Sequence, residues 1–140
     1  MKRFEFSLEN ILEYRKQNEQ QIKQKYTALR QRLASKEDEI TRLGAEKFNL
    51  MDVSELSVGK MQVQQRYLLE LDRRMGEIKT ESLELQNEVE MVLQEVVQAQ
   101  RERKVLEKLE EKQHAAYLQE VKHEEQKQLD EMGNRPKFVI

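Results

Sequence analysis

Two ladders of apolar residues, each stepping alternately by four and three positions, constrain this chain more than any other feature. The first runs through Leu8, Leu12, Ile22, Tyr26, Leu29, Leu33, Ile40, Leu43 and Leu50. The second runs through Leu68, Leu71, Met75, Ile78, Leu85, Val89, Val92, Val96 and Ala99. Such spacing averages ~3.5 residues, the repeat of a coiled coil. Two such seams leave little sequence for a globular core. The chain is expected to work as a rod, a spacer or a docking surface.

One proline and four glycines in 140 residues leave few helix breaks, and 37% of the residues are charged. Long helices follow from that. Alternating β-branched runs with turn punctuation are absent, so no strand is predicted. Acids and bases are interleaved at a net charge of −2, without the basic stripe a nucleic-acid binder needs. The lack of cysteine excludes disulfides and fits a reducing compartment. The opening Met1-Lys2-Arg3-Phe4-Glu5-Phe6 has no apolar run of the ~7–15 residues that a signal peptide carries. No window reaches the ~18–20 apolar residues of a membrane span. The expectation is a soluble, cytoplasmic protein with no direct membrane insertion.

The pattern predicts one hairpin over residues 1–140: a first helix at about 7–51, a turn at about 52–57, a second helix at about 58–132 and a tail at 133–140. Ser7 is placed to cap the first helix, with Phe6 and Ile11 at the positions of a hydrophobic staple and Glu9 in the first turn. The first seam has four polar exceptions, Arg15, Glu19, Lys36 and Lys47. Their stems can lie along the seam, and they specify register at some loss of stability. Ser82 is the exception in the second seam. The seams lapse between Asp52 and Gly59, where Ser57 can cap the second helix. Gly76 lies inside that helix but off its seam. Gly133, Asn134 and Pro136 mark its end. Ion pairs at i,i+4 such as Glu19 with Lys23 and Glu70 with Arg74 add a few tenths of a kcal/mol each.

Helix reach then sets the architecture. At ~1.5 Å per residue the second helix is much the longer, and a short turn makes the two antiparallel neighbours. The fold class is all-α, an antiparallel two-helix coiled coil with the second helix overhanging. A turn centred near residue 55 sets Leu8 level with Arg101 and Glu102 and leaves roughly thirty residues of the second helix without a partner. Over that stretch the seam weakens, and Val105, Leu106, Leu109, Ala116, Tyr117, Leu118 and Val121 appear among basic residues. An isolated helix this polar is marginal in water, so the overhang is expected to fray alone and to be ordered by another protein.

No pattern supports catalysis or a bound cofactor. His114 and His123 do not share a face and read as solvated. The glycines at 44, 59, 76 and 133 form no phosphate loop. No nucleophile has a base nearby in sequence. Charge runs such as Glu107 to Lys112 read as a solvated helix face. Phe4, Phe6 and Leu8 either pack on the start of the overhang or form a docking foot. By phase Tyr26 and Tyr117 belong to the seams. Tyr67 sits on a flank, half-buried or free to anchor a partner.

Three stretches carry a family resemblance: Phe4-Glu5-Phe6-Ser7-Leu8-Glu9-Asn10-Ile11-Leu12-Glu13-Tyr14-Arg15, then Gln65-Arg66-Tyr67-Leu68-Leu69-Glu70-Leu71, and Lys108 to Tyr117 followed by Glu125-Gln126-Lys127-Gln128-Leu129-Asp130-Glu131. In these the chain resembles the flagellar export protein FliJ family. The resemblance implies a non-enzymatic cytoplasmic component of the flagellar type III export machine, associated peripherally with its inner-membrane face and similar to the shaft of rotary ATP synthases. It implies a monomer that binds the export ATPase (FliI-like) at its ring centre and the export gate protein (FlhA-like), and that helps escort export chaperones. Carried over by position, the gate candidates are Tyr67, Leu71 and Ile78. The ring candidates are Phe4, Phe6, Leu109, Lys112, Tyr117, Val121, Gln126, Lys127, Asp130 and Glu131. The tail from Arg135 to Ile140 departs from the family and receives no role. Competing readings are a generic coiled-coil chaperone that grips clients with its helix tips, a parallel homodimeric spacer, and an enzyme.

Overall fold

The computed structural model describes residues 2–51 and 57–134. The predicted turn, apart from Ser57, and the tail from 135 onward lie outside the described residues. Two α-helices make up the fold, α1 from Glu9 to Met51 and α2 from Val58 to Asn134. No strand occurs among the described residues. The protein is an all-α helical hairpin with many contacts between its helices.

Residues divide into two compact units, one of residues 20–97 and one of residues 1–19 with 98–140. In the first, the helices run antiparallel, and the heptad ladders are what they bury. Leu29, Leu85 and Val92 form one core, with Ile22, Tyr26, Leu33 and Val89 packed on it. Leu43, Leu71 and Ile78 form a second, joined by Ile40, Leu50 and Met75. Between them lie Lys36 on α1 and the buried Ser82 on α2. The Ser82 hydroxyl has no hydrogen-bond partner among the described residues. Lys36 reaches aside to Glu81 at 2.9 Å, and that hydrogen-bonded carboxylate holds its ammonium pKa above the ordinary value. Every seam position from Leu8 to Leu50 is buried or half-buried, as is every one from Leu68 to Ala99.

Local details depart from the sequence reading in three places. The first α-helical bond of α1 runs from the Leu12 N–H to the Leu8 carbonyl at 2.9 Å, so the cap position is Leu8 and not Ser7. Ile11, the expected staple partner of Phe6, is exposed, and Leu12 is the residue driven inside at 1% exposure. Glu70 is bonded by Arg73, with one contact at 3.1 Å, and Arg74 reaches across to Glu39 at 3.8 Å. The Arg73 guanidinium lowers the Glu70 carboxyl pKa. At the other end, Ser57 caps α2 as expected: its hydroxyl accepts from the Lys60 N–H at 3.4 Å and its carbonyl from the Met61 N–H at 2.9 Å. α2 continues through Gly133, which keeps a negative φ, to Asn134.

The register also differs. Lys47 meets Asp72 at 2.6 Å and Lys36 meets Glu81, where a turn centred near residue 55 would have set Lys36 against Arg74. The shift is about two helical turns along α2. Near the connection Gln64 bonds the Leu50 carbonyl and Tyr67 bonds Glu46. The first residues of α2, Val58 to Val63, are all exposed.

Candidate partner-binding surfaces

In the unit of residues 1–19 and 98–140, α1 grips α2 through ions as well as apolar packing. Arg15 donates to Glu102 at 2.7 Å. Glu19, 4% exposed, accepts from Arg103, whose guanidinium also donates to both Glu107 oxygens at 2.9 Å. The two carboxylates raise the guanidinium pKa, Glu19 foremost. A buried carboxylate needs such a partner, because an uncompensated charge there is strongly destabilising.

Ahead of α1, residues 2–6 are non-helical and lie on α2. Phe6 is buried. The Phe4 ring meets His114 edge-on at 4.8 Å between centroids and Tyr117 at 5.5 Å. The Tyr117 hydroxyl donates to the Lys2 carbonyl at 2.6 Å. The seam of α2 therefore stays covered through Arg103, Leu106, Glu110, Gln113 and Tyr117, all half-buried. This corrects the expectation that α2 loses its partner beyond Glu102. Arg15 lies there instead of Leu8, and the N-terminal segment covers the next turns. The bare part of α2 is shorter than roughly thirty residues: positions 122–134 are all exposed.

The ring candidates accordingly fall into two groups. Phe4, Phe6 and Tyr117 are brought together, with Leu109 and Val121 half-buried nearby in sequence. Lys112, Gln126, Lys127, Asp130 and Glu131 are exposed, and Gln126 donates to Asp130 at 3.3 Å. Leu129, which lies within the 109–131 ring-side stretch of the sequence reading without being singled out, and Met132, which lies outside it, are 62% and 65% exposed. With Leu118 and Val121 they recur at steps of three, eight and three, a single helix face at ~100° per residue. That phase differs from the seam, and it is the signal by which the sequence could have revealed them. His114, read as merely solvated, is exposed yet supports Phe4.

The gate candidates also divide. Leu71 and Ile78 are 4% and 5% exposed in the core with Leu43, so a partner reaches them only if the helices part. Tyr67 is 44% exposed, and its hydroxyl donates to Glu46, which raises the phenol pKa. Exposed apolar residues that the seams leave out surround it in sequence: Phe48, Met51, Val58, Met61, Val63 and Leu69.

Among the described residues no group of three His, Cys, Asp or Glu side chains could hold a metal ion. Nor is any helix among them long and apolar enough to cross a membrane.

By class this is a two-helix coiled-coil protein whose distinctive chemistry is contact surface. The family model described as flagellar FliJ protein matches residues 4–136, and the chain belongs to that family. It is a flagellar export-associated coiled-coil protein. No curated protein and no solved structure matches it.

Proposed function

We propose that this chain is a non-enzymatic shaft and regulator of the flagellar type III export apparatus. The C-terminal part of α2 enters the ring of the export ATPase, and the end of the hairpin near Tyr67 meets the export gate protein. In this role it sits at the inner-membrane face of the apparatus and helps escort export chaperones.

One observation carries the reading. α2 continues from residue 122 to 134 with every position exposed, while keeping Leu118, Val121, Leu129 and Met132 on one face. An unpartnered helix of this length is marginal by itself. Its apolar stripe is narrow and set among Lys127, Asp130 and Glu131, charges of both signs. Such a surface suits weak contacts with several nonequivalent subunits. Tyr67 and its exposed apolar neighbours support the gate contact, since tyrosine is enriched among the residues that dominate interface energetics.

The test is ATP hydrolysis by the purified export ATPase with and without this chain. Stimulation is expected, and Leu129→Asp should reduce it while far-UV circular dichroism stays unchanged. Equal stimulation by the variant would remove the ring contact from this face. Turnover by the chain alone would overturn the non-enzymatic reading.

A further inference from the structure

The ring contact proposed above uses the C-terminal part of α2, and the start of the chain, whose Phe4 and Phe6 the family resemblance also offers to the ring, lies against the face of α2 just before it. Phe4 sits on His114 and Tyr117, and the Lys2 carbonyl takes the Tyr117 hydroxyl. One turn before Leu118, where the exposed stripe starts, the same face of α2 carries His114, on which Phe4 packs. A partner that tracks the stripe toward the N-terminus of α2 therefore runs into Phe4.

We infer that residues Lys2–Glu5 are a releasable strap, which covers the α2 face at Glu110–Tyr117 and must leave before the export ATPase can take that face. The inference rests on the ring-binding reading for its partner but not for its geometry. The strap is held far more lightly than the residues after it. Lys2, Arg3 and Glu5 are exposed and Phe4 is only half-buried. Its grips are one hydrogen bond from a phenol at the surface and ring contacts at 4.8 and 5.5 Å. Arg3 and Glu110 line the same groove. From Phe6 onward the hold is different in kind: Phe6 is 7% and Leu12 1% exposed, and Arg15 and Glu19 are ion-paired. Phe6 is thus the pivot. Segments with few buried apolar contacts open at low free energy, while packed ones open only with the whole fold.

A strap of this kind reduces apparent affinity by the fraction of molecules in which it is closed. Its removal tightens binding without adding a contact. The chain has no cysteine, so Arg3→Cys with Glu110→Cys gives a unique pair that a short bis-maleimide can join. Binding of the full chain to the purified export ATPase should weaken about tenfold or more when the pair is joined, relative to the same variant unjoined. Phe4→Ala should bind about threefold or more tighter than the native chain. If the joined form binds as well as the unjoined one, or if Phe4→Ala weakens binding as Leu129→Asp does, the strap is a contact or a bystander and the inference fails. Amide exchange on the chain alone separates this from failure of the ring reading. Phe4→Ala should speed exchange at 110–121 about fivefold and leave 20–97 unchanged. Unchanged exchange at 110–121 overturns the strap whatever the ATPase does, whereas unaltered ATPase binding by Leu129→Asp counts against the ring contact alone.

Discussion

Ser82→Ala should stabilise this protein. Ser82 is 6% exposed, one turn from Ile78 and Leu85, which are 5% and 6% exposed, and its hydroxyl has no partner among the described residues. A buried hydroxyl left without a hydrogen bond costs ~1–3 kcal/mol relative to water. Alanine also has the better helix propensity, by roughly 0.5 kcal/mol. Against this stands the small void left by one oxygen atom, with the dispersion attraction that its neighbours forfeit. The net expectation is a gain of about 1–2 kcal/mol. In urea, with a slope of ~1–3 kcal/mol per molar, the midpoint should rise by roughly 0.5–1 M at constant slope. The assay is circular dichroism at 222 nm. An unmoved or lowered midpoint refutes the reasoning, because the serine would then hold a hydrogen bond worth keeping, such as one to a carbonyl of its own helix. A changed slope would mean that the mutation altered the compactness of one of the end states.

Arg103→Leu should destabilise by about 2–4 kcal/mol, since it strips a guanidinium from the buried Glu19 carboxylate, and adding Glu19→Leu should restore most of the loss; a double variant as unstable as the single one would show that the pair is not the cause. Gly76→Ala should add about 1 kcal/mol in the same urea assay, because the position is helical and its Cβ meets nothing within 4 Å; a loss would reveal a hidden contact. Tyr67 donates to Glu46, so its folded pKa lies above the unfolded value of ~10. The stability this adds is present below that unfolded value and is lost as pH rises through the raised one. Absorbance at 295 nm, with Tyr67→Phe as the difference, should show its midpoint above that of the urea-unfolded chain, and a midpoint at or below it refutes the bond. Amides of residues 122–134 should exchange faster than those of 68–99 in the isolated chain, as bare helix does; equal protection would mean that α2 is covered to its end.

The heptad ladders made both helices legible because burial follows them position by position, down to Glu19 and Ser82, polar residues that the phase alone places inside. Tyr26 and Tyr117 also fall on the seams as their phase required. The candidate surfaces were less legible. Leu71 and Ile78 stand on the second ladder, so the phase already places them inside and away from a partner in the closed hairpin, and the N-terminal strap has no period to betray it. Register is hidden from the apolar pattern for a deeper reason. An apolar repeat of seven is nearly unchanged when one helix slides a heptad along the other, so the ladders alone cannot choose between slips. The polar exceptions can. Arg15 meets Glu102, Glu19 meets Arg103, Lys36 meets Glu81 and Lys47 meets Asp72. Slide α1 by seven and Arg15 still finds an acid in Glu95, but Glu19 falls on Val96, Lys36 on Arg74 and Lys47 on Gln65. Three of four charges lose their partner on α2, one by facing a like charge and another by setting a carboxylate against valine. Each exposed pair contributes little stability. Their joint effect is selective, since the wrong register loses all three at once and gains nothing from the apolar residues in return.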